Sequence, residues 1–316
     1  MTSAFRALGA AMALASGEAP AQVLVDTVQQ GSGNRTHVEQ RDSSDDAQVG
    51  VAQTGSDNLI GDPGMRQGGI VQIATVGRVD ARQEGSANQA SIVQDHADRS
   101  DNLLLQAGKG NAASFRQDRV NSSRLDLRQR GSANAASLRQ KDLPTFSVAA
   151  RQAGSDNRIV VDQFFSGYGG PEIDQNGSFN TVLIEQSDAA YSFVTVDQAG
   201  KLNAAWVRQN STIFTVGQSI VQRGERNVAR ADESGQVNGS TIVQTGNENL
   251  ACATSTLNGS VSEIIQTGNG NRASAVQNGA LQWTTGNFSR ISQTGKAFTA
   301  SVRQDGSGNV SLITQH

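Results

Sequence analysis

The sequence predicts an all-β fold: a β-solenoid of stacked strand-turn-strand rungs, 22 to 23 residues each, with amyloid-like cross-β character. Three observations predict it. The pattern QxGxxN recurs twelve times between Gln29 and Gln304. Between the motifs, apolar and polar residues alternate with the period of two that puts every second side chain on one face of a strand. The composition also starves a conventional core, since charged residues are 17% and aromatics 4% of the chain while Gly, Gln, Asn and Ser fill the space.

The motif starts at Gln29, Gln53, Gln83, Gln106, Gln129, Gln152, Gln175, Gln198, Gln222, Gln244, Gln266 and Gln304, and a variant at Gln293 carries Phe298 in place of Asn. From Gln83 to Gln198 the step is always 23 residues. In nine of these units a closing Gln follows six residues after the Asn. The ladder and turn positions expected on this basis are Gln83, Gly85, Asn88 and Gln94; Gln106, Gly108, Asn111 and Gln117; Gln129, Gly131, Asn134 and Gln140; Gln152, Gly154, Asn157 and Gln163. They continue through Gln175, Gly177, Asn180 and Gln186; Gln198, Gly200, Asn203 and Gln209; Gln266, Gly268, Asn271 and Gln277; and Gln304, Gly306, Asn309 and Gln315.

After each Asn, one parity is apolar and the other small or charged. Ala90, Ile92 and Gln94 share a face, as do Ala113, Phe115 and Gln117, and Ala136, Leu138 and Gln140, whereas Ser114, Arg116, Ser137 and Arg139 take the opposite one. A second short strand precedes each motif, with Leu125 and Leu127 before Gln129 and Val194 and Val196 before Gln198. The motif Gly permits a turn that a side chain would hinder, and the Asn is expected to satisfy local backbone groups while tolerating left-handed geometry. One such pair of strands cannot bury its own face, but copies stacked at ~4.8 Å do so, and Gln and Asn repeated at one place can then form amide ladders. The units at Gln53, Gln222 and Gln244 lack the closing Gln and show Gly64, Glu233 and Ser255 there, and the register breaks around Pro63. Residues near 59–82 are therefore expected to be irregular.

Residues 1–21 read differently. Arg6, the apolar run Ala7 to Ala15 and the Ala19-Pro20-Ala21 site have the form of a secretory signal peptide, with a disordered arm as the alternative, leaving 22–316 as the repeat domain. No later run reaches the ~20 apolar residues of a membrane helix, so no membrane span is expected. The formal net charge is -3 and basic residues are scattered singly, which argues against nucleic acid as a partner. Cys252 is the only cysteine, so no intramolecular disulfide is available.

The unit QxGxxNxxxxxQ, at this step and across nearly all of Gln29 to Gln315, resembles the curlin repeat of curli fibre subunits. That resemblance implies export through an outer-membrane secretion channel and self-assembly, with other curli-type subunits, into extracellular amyloid at the bacterial surface, serving biofilm matrix and adhesion. The chain departs from the family in having many more units than the usual handful.

Little points to catalysis, and no enzymatic activity, cofactor or metal is expected. His37, His96 and His316 have no metal-ligand spacing with one another or with Cys252. Asp95, Asp98 and Asp101 read as a solvated return loop. One outward column runs Val93, Arg116, Arg139, Asp162, Glu185, Arg208, Asp232, and it is expected to form a charge ladder in which Arg139 faces Asp162 and Arg208 faces both Glu185 and Asp232. The rival function is a non-polymerising secreted solenoid that binds or cleaves carbohydrate, but Trp206 and Trp283 do not share a repeat position and form no stacking strip. An ice-binding solenoid would want an outward Thr array in place of these charges. The last motif, Gln304 to Gln315, is expected to form a complete rung that offers a template to a second chain.

Overall fold

The computed structural model describes residues 24–43, 47–61, 69–213, 217–256, 258–279 and 286–316. Among them the chain is all β without a helix, a parallel β-solenoid of about 12 turns with ~23-residue rungs. The signal-peptide segment, Pro63, Gly64 and Trp283 lie outside the described residues. The chain divides into two compact units, Met1–Val148 with Gln152–Ser155, and Ala149–Arg151 with Asp156–His316.

Unit one contains β1 (Leu24–Ser32), β2 (Arg35–Thr36), β3 (Val38–Arg41), β4 (Gln48–Ser56), β5 (Leu59–Ile60), β6 (Ile70–Ile73), β7 (Val76–Ser86), β8 (Gln89–Asp95), β9 (Asp98–Lys109), β10 (Ala112–Val120), β11 (Arg124–Ser132) and β12 (Ala135–Leu143). Strand β13 (Ser147–Ser155) contributes residues to both units. Unit two contains β14 (Arg158–Phe164), β15 (Gly167–Ser178), β16 (Thr181–Ser187), β17 (Ala190–Lys201), β18 (Ala204–Ile213), β19 (Gly217–Glu225) and β20 (Val228–Gln236). It continues with β21 (Gly239–Thr245), β22 (Leu250–Thr256), β23 (Val261–Asn269), β24 (Arg272–Asn278), β25 (Phe288–Lys296), β26 (Thr299–Asp305) and β27 (Val310–Gln315).

Each unit is built of two parallel walls. In unit one, β1, β4, β7, β9 and β11 pair in that order, and the other wall runs through β5 and β6 to β8, β10 and β12. In unit two, the odd strands β15 to β27 form one wall and the even strands β14 to β26 the other. The register places like on like: Ala113 on Ala136, Ser114 on Ser137 and Gln117 on Gln140. Alternation decides which side chains go in, because a strand slipped by one residue would turn Phe115 and Leu138 to water and Arg116 and Arg139 inward.

The interior is filled from both walls. In unit one, Ile92, Phe115 and Leu138 are buried on one wall and Ala81, Leu104 and Leu127 on the other, while Ala97, Val120, Leu143 and Phe146 cluster near the return corner. In unit two, the small residues Ala231, Ala253 and Ala275 are buried on the even wall, and the odd wall carries Ile220, Ile242, Ile264 and Ile291. Large residues on one wall offset small ones on the other, which keeps the interior close-packed.

At the motif corner the glycine has a positive φ, +108° at Gly85 and +115° at Gly131, and a Cβ on Gly131 would lie 2.0 Å from the Gly154 carbonyl oxygen. The left-handed position is not the Asn. It is the residue before it, with φ of 55° at Ala87, 54° at Ala133 and 58° at Leu202, which corrects the expectation that the Asn takes this geometry.

Two further corrections concern register. The closing position expected to be missing in the Gln53 unit is filled by Gln72, which pairs in register with Gln94. The chain spends 30 residues from Gln53 to Gln83, seven beyond the usual step, and the ladder resumes after that excess. The last motif is also shifted by half a turn. Gln304 stacks on Gln277 in the closing column, while β27 joins the odd wall and puts Gln315 on Gln293. Gln304 lies six residues past Phe298, so the same residue closes the Gln293 unit and resembles the start of a new one.

Candidate functional site

The feature that distinguishes this solenoid is a set of buried amide ladders along each unit. In unit one the opening column runs Gln29, Gln53, Gln83, Gln106, Gln129, Gln152, with each Nε2 donating to the next Oε1 at 2.6 to 2.8 Å. The closing column links Gln40, Gln72, Gln94, Gln117 and Gln140, at 2.7 to 3.0 Å from Gln72 onward. In unit two an opening column of the same kind links Gln175, Gln198, Gln222, Gln244, Gln266, Gln293 and Gln315 at 2.7 to 2.9 Å. Its closing column links Gln163, Gln186 and Gln209, then resumes between Gln277 and Gln304.

The second Nε2 hydrogen of an opening Gln is used as well. Gln106 donates to the Gln89 carbonyl at 3.0 Å and Gln129 to the Ala112 carbonyl at 3.0 Å, so these buried amides are satisfied by the residue just past the Asn of the preceding motif.

The Asn column is the densest of the three. Asn111 donates from Nδ2 to Asn88 Oδ1 at 3.0 Å, to the Ala107 carbonyl at 3.3 Å and to the Gly131 carbonyl at 3.1 Å. Its Oδ1 accepts from the backbone N–H and the Nδ2 of Asn134 at 3.2 and 3.0 Å. Asn180, Asn203, Asn227 and Asn249 repeat the arrangement in unit two. One side chain thus ties its own turn to both neighbouring rungs. This explains why the motif needs Asn at that place and Gly three residues earlier, where the accepting carbonyl of the next rung approaches.

The return corner at the far end of unit two repeats the device with other residues. Asn309 stacks on Asn287, and the Ser260 backbone N–H donates to Asn238 Oδ1 at 2.9 Å.

Outside, charges pair along strands as often as between rungs. Arg82 binds Asp80 at 3.0 Å, Arg128 binds Asp126 at 3.1 Å, and Arg119 binds Asp142 of the next rung at 2.5 Å. That last pair holds the Asp142 carboxyl below the usual carboxylate range and raises the Arg119 guanidinium. In the expected charge column, Glu185 meets Arg208 at 3.9 Å, but Asp232 turns to Arg230 on its own strand at 2.7 Å. Two positions along one strand bring opposite charges together as readily as one rung does.

Asp95 contacts His96 at 2.6 Å and Asp98 contacts Arg99 at 3.2 Å. No group of three His, Cys, Asp or Glu able to hold a metal occurs among the described residues. Cys252 is half-buried on the outward parity, 3.9 Å from Thr254 Oγ1. Trp206 is 38% exposed, and the exposed rings of Tyr168 and Tyr191 stack with centroids 5.0 Å apart, an aromatic counterpart of the amide ladders that the sequence reading missed. Their signal was there, because Tyr168 and Tyr191 are one 23-residue step apart.

The chain matches no protein-family model and no curated protein.

Proposed function

We propose that this protein is an extracellular structural subunit, a curli-like functional amyloid that self-assembles along its stacking direction into fibres for matrix and adhesion at the bacterial surface. The observation that carries the reading is the repetition of one contact set from rung to rung. Gln meets Gln, Asn meets Asn and Gly meets Gly at nearly every step within each unit. A rung surface built this way accepts any other rung of the same pattern, whether from the same chain or a second copy, because backbone pairs and amide ladders are the same in both cases. The spacing of the motif and its resemblance to the curlin repeat support the same reading. Export through an outer-membrane channel, partnership with other curli-type subunits, and a structural role in place of catalysis belong to this proposal.

The test is assembly of the purified chain followed by negative-stain microscopy and sedimentation. Unbranched fibres should appear after a lag, and sonicated fibres should abolish that lag. A chain that remains monomeric by ultracentrifugation for days at high concentration would contradict the proposal and leave an isolated solenoid.

A further inference from the structure

In unit two the closing Gln ladder is interrupted, and the interruption contains a carboxyl. Glu233 on β20 stacks between Gln209 on β18 and Ser255 on β22, and Gln277 on β24 follows. Ser255 is too short to continue the amide chain, and its hydroxyl reaches Gln277 Oε1 at 3.4 Å. Glu233 is 3% exposed. One of its oxygens accepts from Ser240 Oγ of β21 at 2.8 Å. Among the described residues the other has no partner, and neither has Gln209 Nε2 or either amide atom of Gln218, which stacks directly against Ser240 on the odd wall. The amide ladder pairs donors and acceptors almost everywhere else, yet here four buried polar atoms meet without pairing.

We propose that Glu233 makes the rungs around it proton-responsive: the protonated carboxyl closes the interrupted ladder, and its ionisation loosens β20 to β22. A protonated carboxyl carries one donor and one acceptor and so substitutes for the missing amide, with its O–H free to donate to Gln218 Oε1 while its carbonyl oxygen accepts from Ser240 or Gln209. The carboxylate has acceptors only and carries a charge.

Among the described residues, no cation is placed to neutralise it. Among the described residues, the inward neighbours are Gln209 of β18, Gln218 of β19, Ser240 of β21 and Ser255 of β22. The charged groups of the adjoining strands face outward, where Arg230 binds Asp232 at 2.7 Å and Arg208 lies 3.9 Å from Glu185. Cys252 of β22 is on the outward parity too. Burial pushes the Glu233 carboxyl up to about 7, although the hydrogen bond from the Ser240 hydroxyl restrains the rise.

The direction follows from linkage. An acid whose folded pKa is raised binds more protons folded than unfolded, so its stabilising effect is complete below the ordinary carboxyl value of 4.5 and is lost as pH rises to about 7. From well below the first value to well above the second, the opening constant of the surrounding rungs should rise about 300-fold, the ratio set by the two pKa values, with about 80-fold of it between them.

The experiment is amide hydrogen exchange of β20 to β22 in the full chain from pH 4.5 to 8, corrected for intrinsic rates, beside a carbon-13 titration of the Glu233 carboxyl. Protection in the unmodified chain should fall through this window and the carboxyl should titrate near neutrality. In Glu233→Gln the fall should vanish, while Glu263→Gln, whose partner is the exposed Arg290 at 3.4 Å, should retain it. The same pH dependence in Glu233→Gln and the unmodified chain, or a Glu233 carboxyl titrating below pH 5, would overturn the proposal. Should Glu233→Gln fail to fold, the carboxyl titration of the unmodified chain decides alone.

Discussion

Replacing Asn111 with aspartate changes one atom's identity and almost no volume, so its effect isolates the hydrogen bonding of the Asn column from packing. The Oδ1 role survives, since a carboxylate still accepts from the Asn134 backbone and side chain. The Nδ2 role is reversed. An oxygen now confronts Asn88 Oδ1, the Ala107 carbonyl and the Gly131 carbonyl, at the 3.0 to 3.3 Å where the amide donated. The two amide hydrogens are shared among these three acceptors, and their loss at up to about 1.5 kcal/mol each gives ~3 kcal/mol, while a fully buried carboxylate raises the total toward ~5 kcal/mol at neutral pH. Acid should recover part of this, because a protonated Asp regains one donor.

The assay is exchange of the β10 and β12 amides, in which ~3 kcal/mol appears as a loss of protection of roughly 150-fold. Asn111→Ala should lose a comparable amount without the pH dependence. Protection within threefold of the unmodified chain for Asn111→Asp, at every pH, would refute the view that the Asn column fastens the rungs.

Further consequences can be measured in the same way. Phe115, 1% exposed and among the largest buried side chains, should cost about 3 to 5 kcal/mol when cut to Ala, read from denaturant-induced loss of β10 protection. Gly131→Ala combines a φ of +115° with a Cβ 2.0 Å from the Gly154 carbonyl oxygen, so β11 to β12 should lose ~3 kcal/mol or more, whereas Ala133→Gly, at a φ of 54°, should be neutral or stabilising. The exposed pair Arg119 with Asp142 is screened by solvent and should contribute almost nothing to stability, so a double-mutant cycle on thermal unfolding should return a coupling near zero.

Much of this architecture can be read in the sequence, because a solenoid writes its contacts into a period. Gln106, Gly108, Asn111 and Gln117 stack on their counterparts as the 23-residue step implies. What escaped the sequence reading did so for physical reasons. Gln72 was hidden because it lies eight residues past the expected closing position at Gly64, although its 22-residue distance from Gln94 was a signal. Gln304 and Gln315 exchanged walls because both corners of a rung can be turned by the same Gly and Asn pattern, so the motif does not say which corner it makes. Ala87 and Ala133 give no hint of a left-handed backbone, since nothing in alanine favours one. At Glu233, the missing Gln was visible, but the absence of a facing cation depends on β19 and β21, which no local pattern reveals.

Fibre diffraction from aligned, assembled protein tests the central claim most directly. Rungs of one chain continued by rungs of the next along the stacking direction should give a sharp meridional reflection at ~4.7 to 4.8 Å and a broad equatorial one near ~10 Å. Assemblies without the meridional reflection, or with it lying perpendicular to the fibre axis, would contradict growth by rung-on-rung stacking.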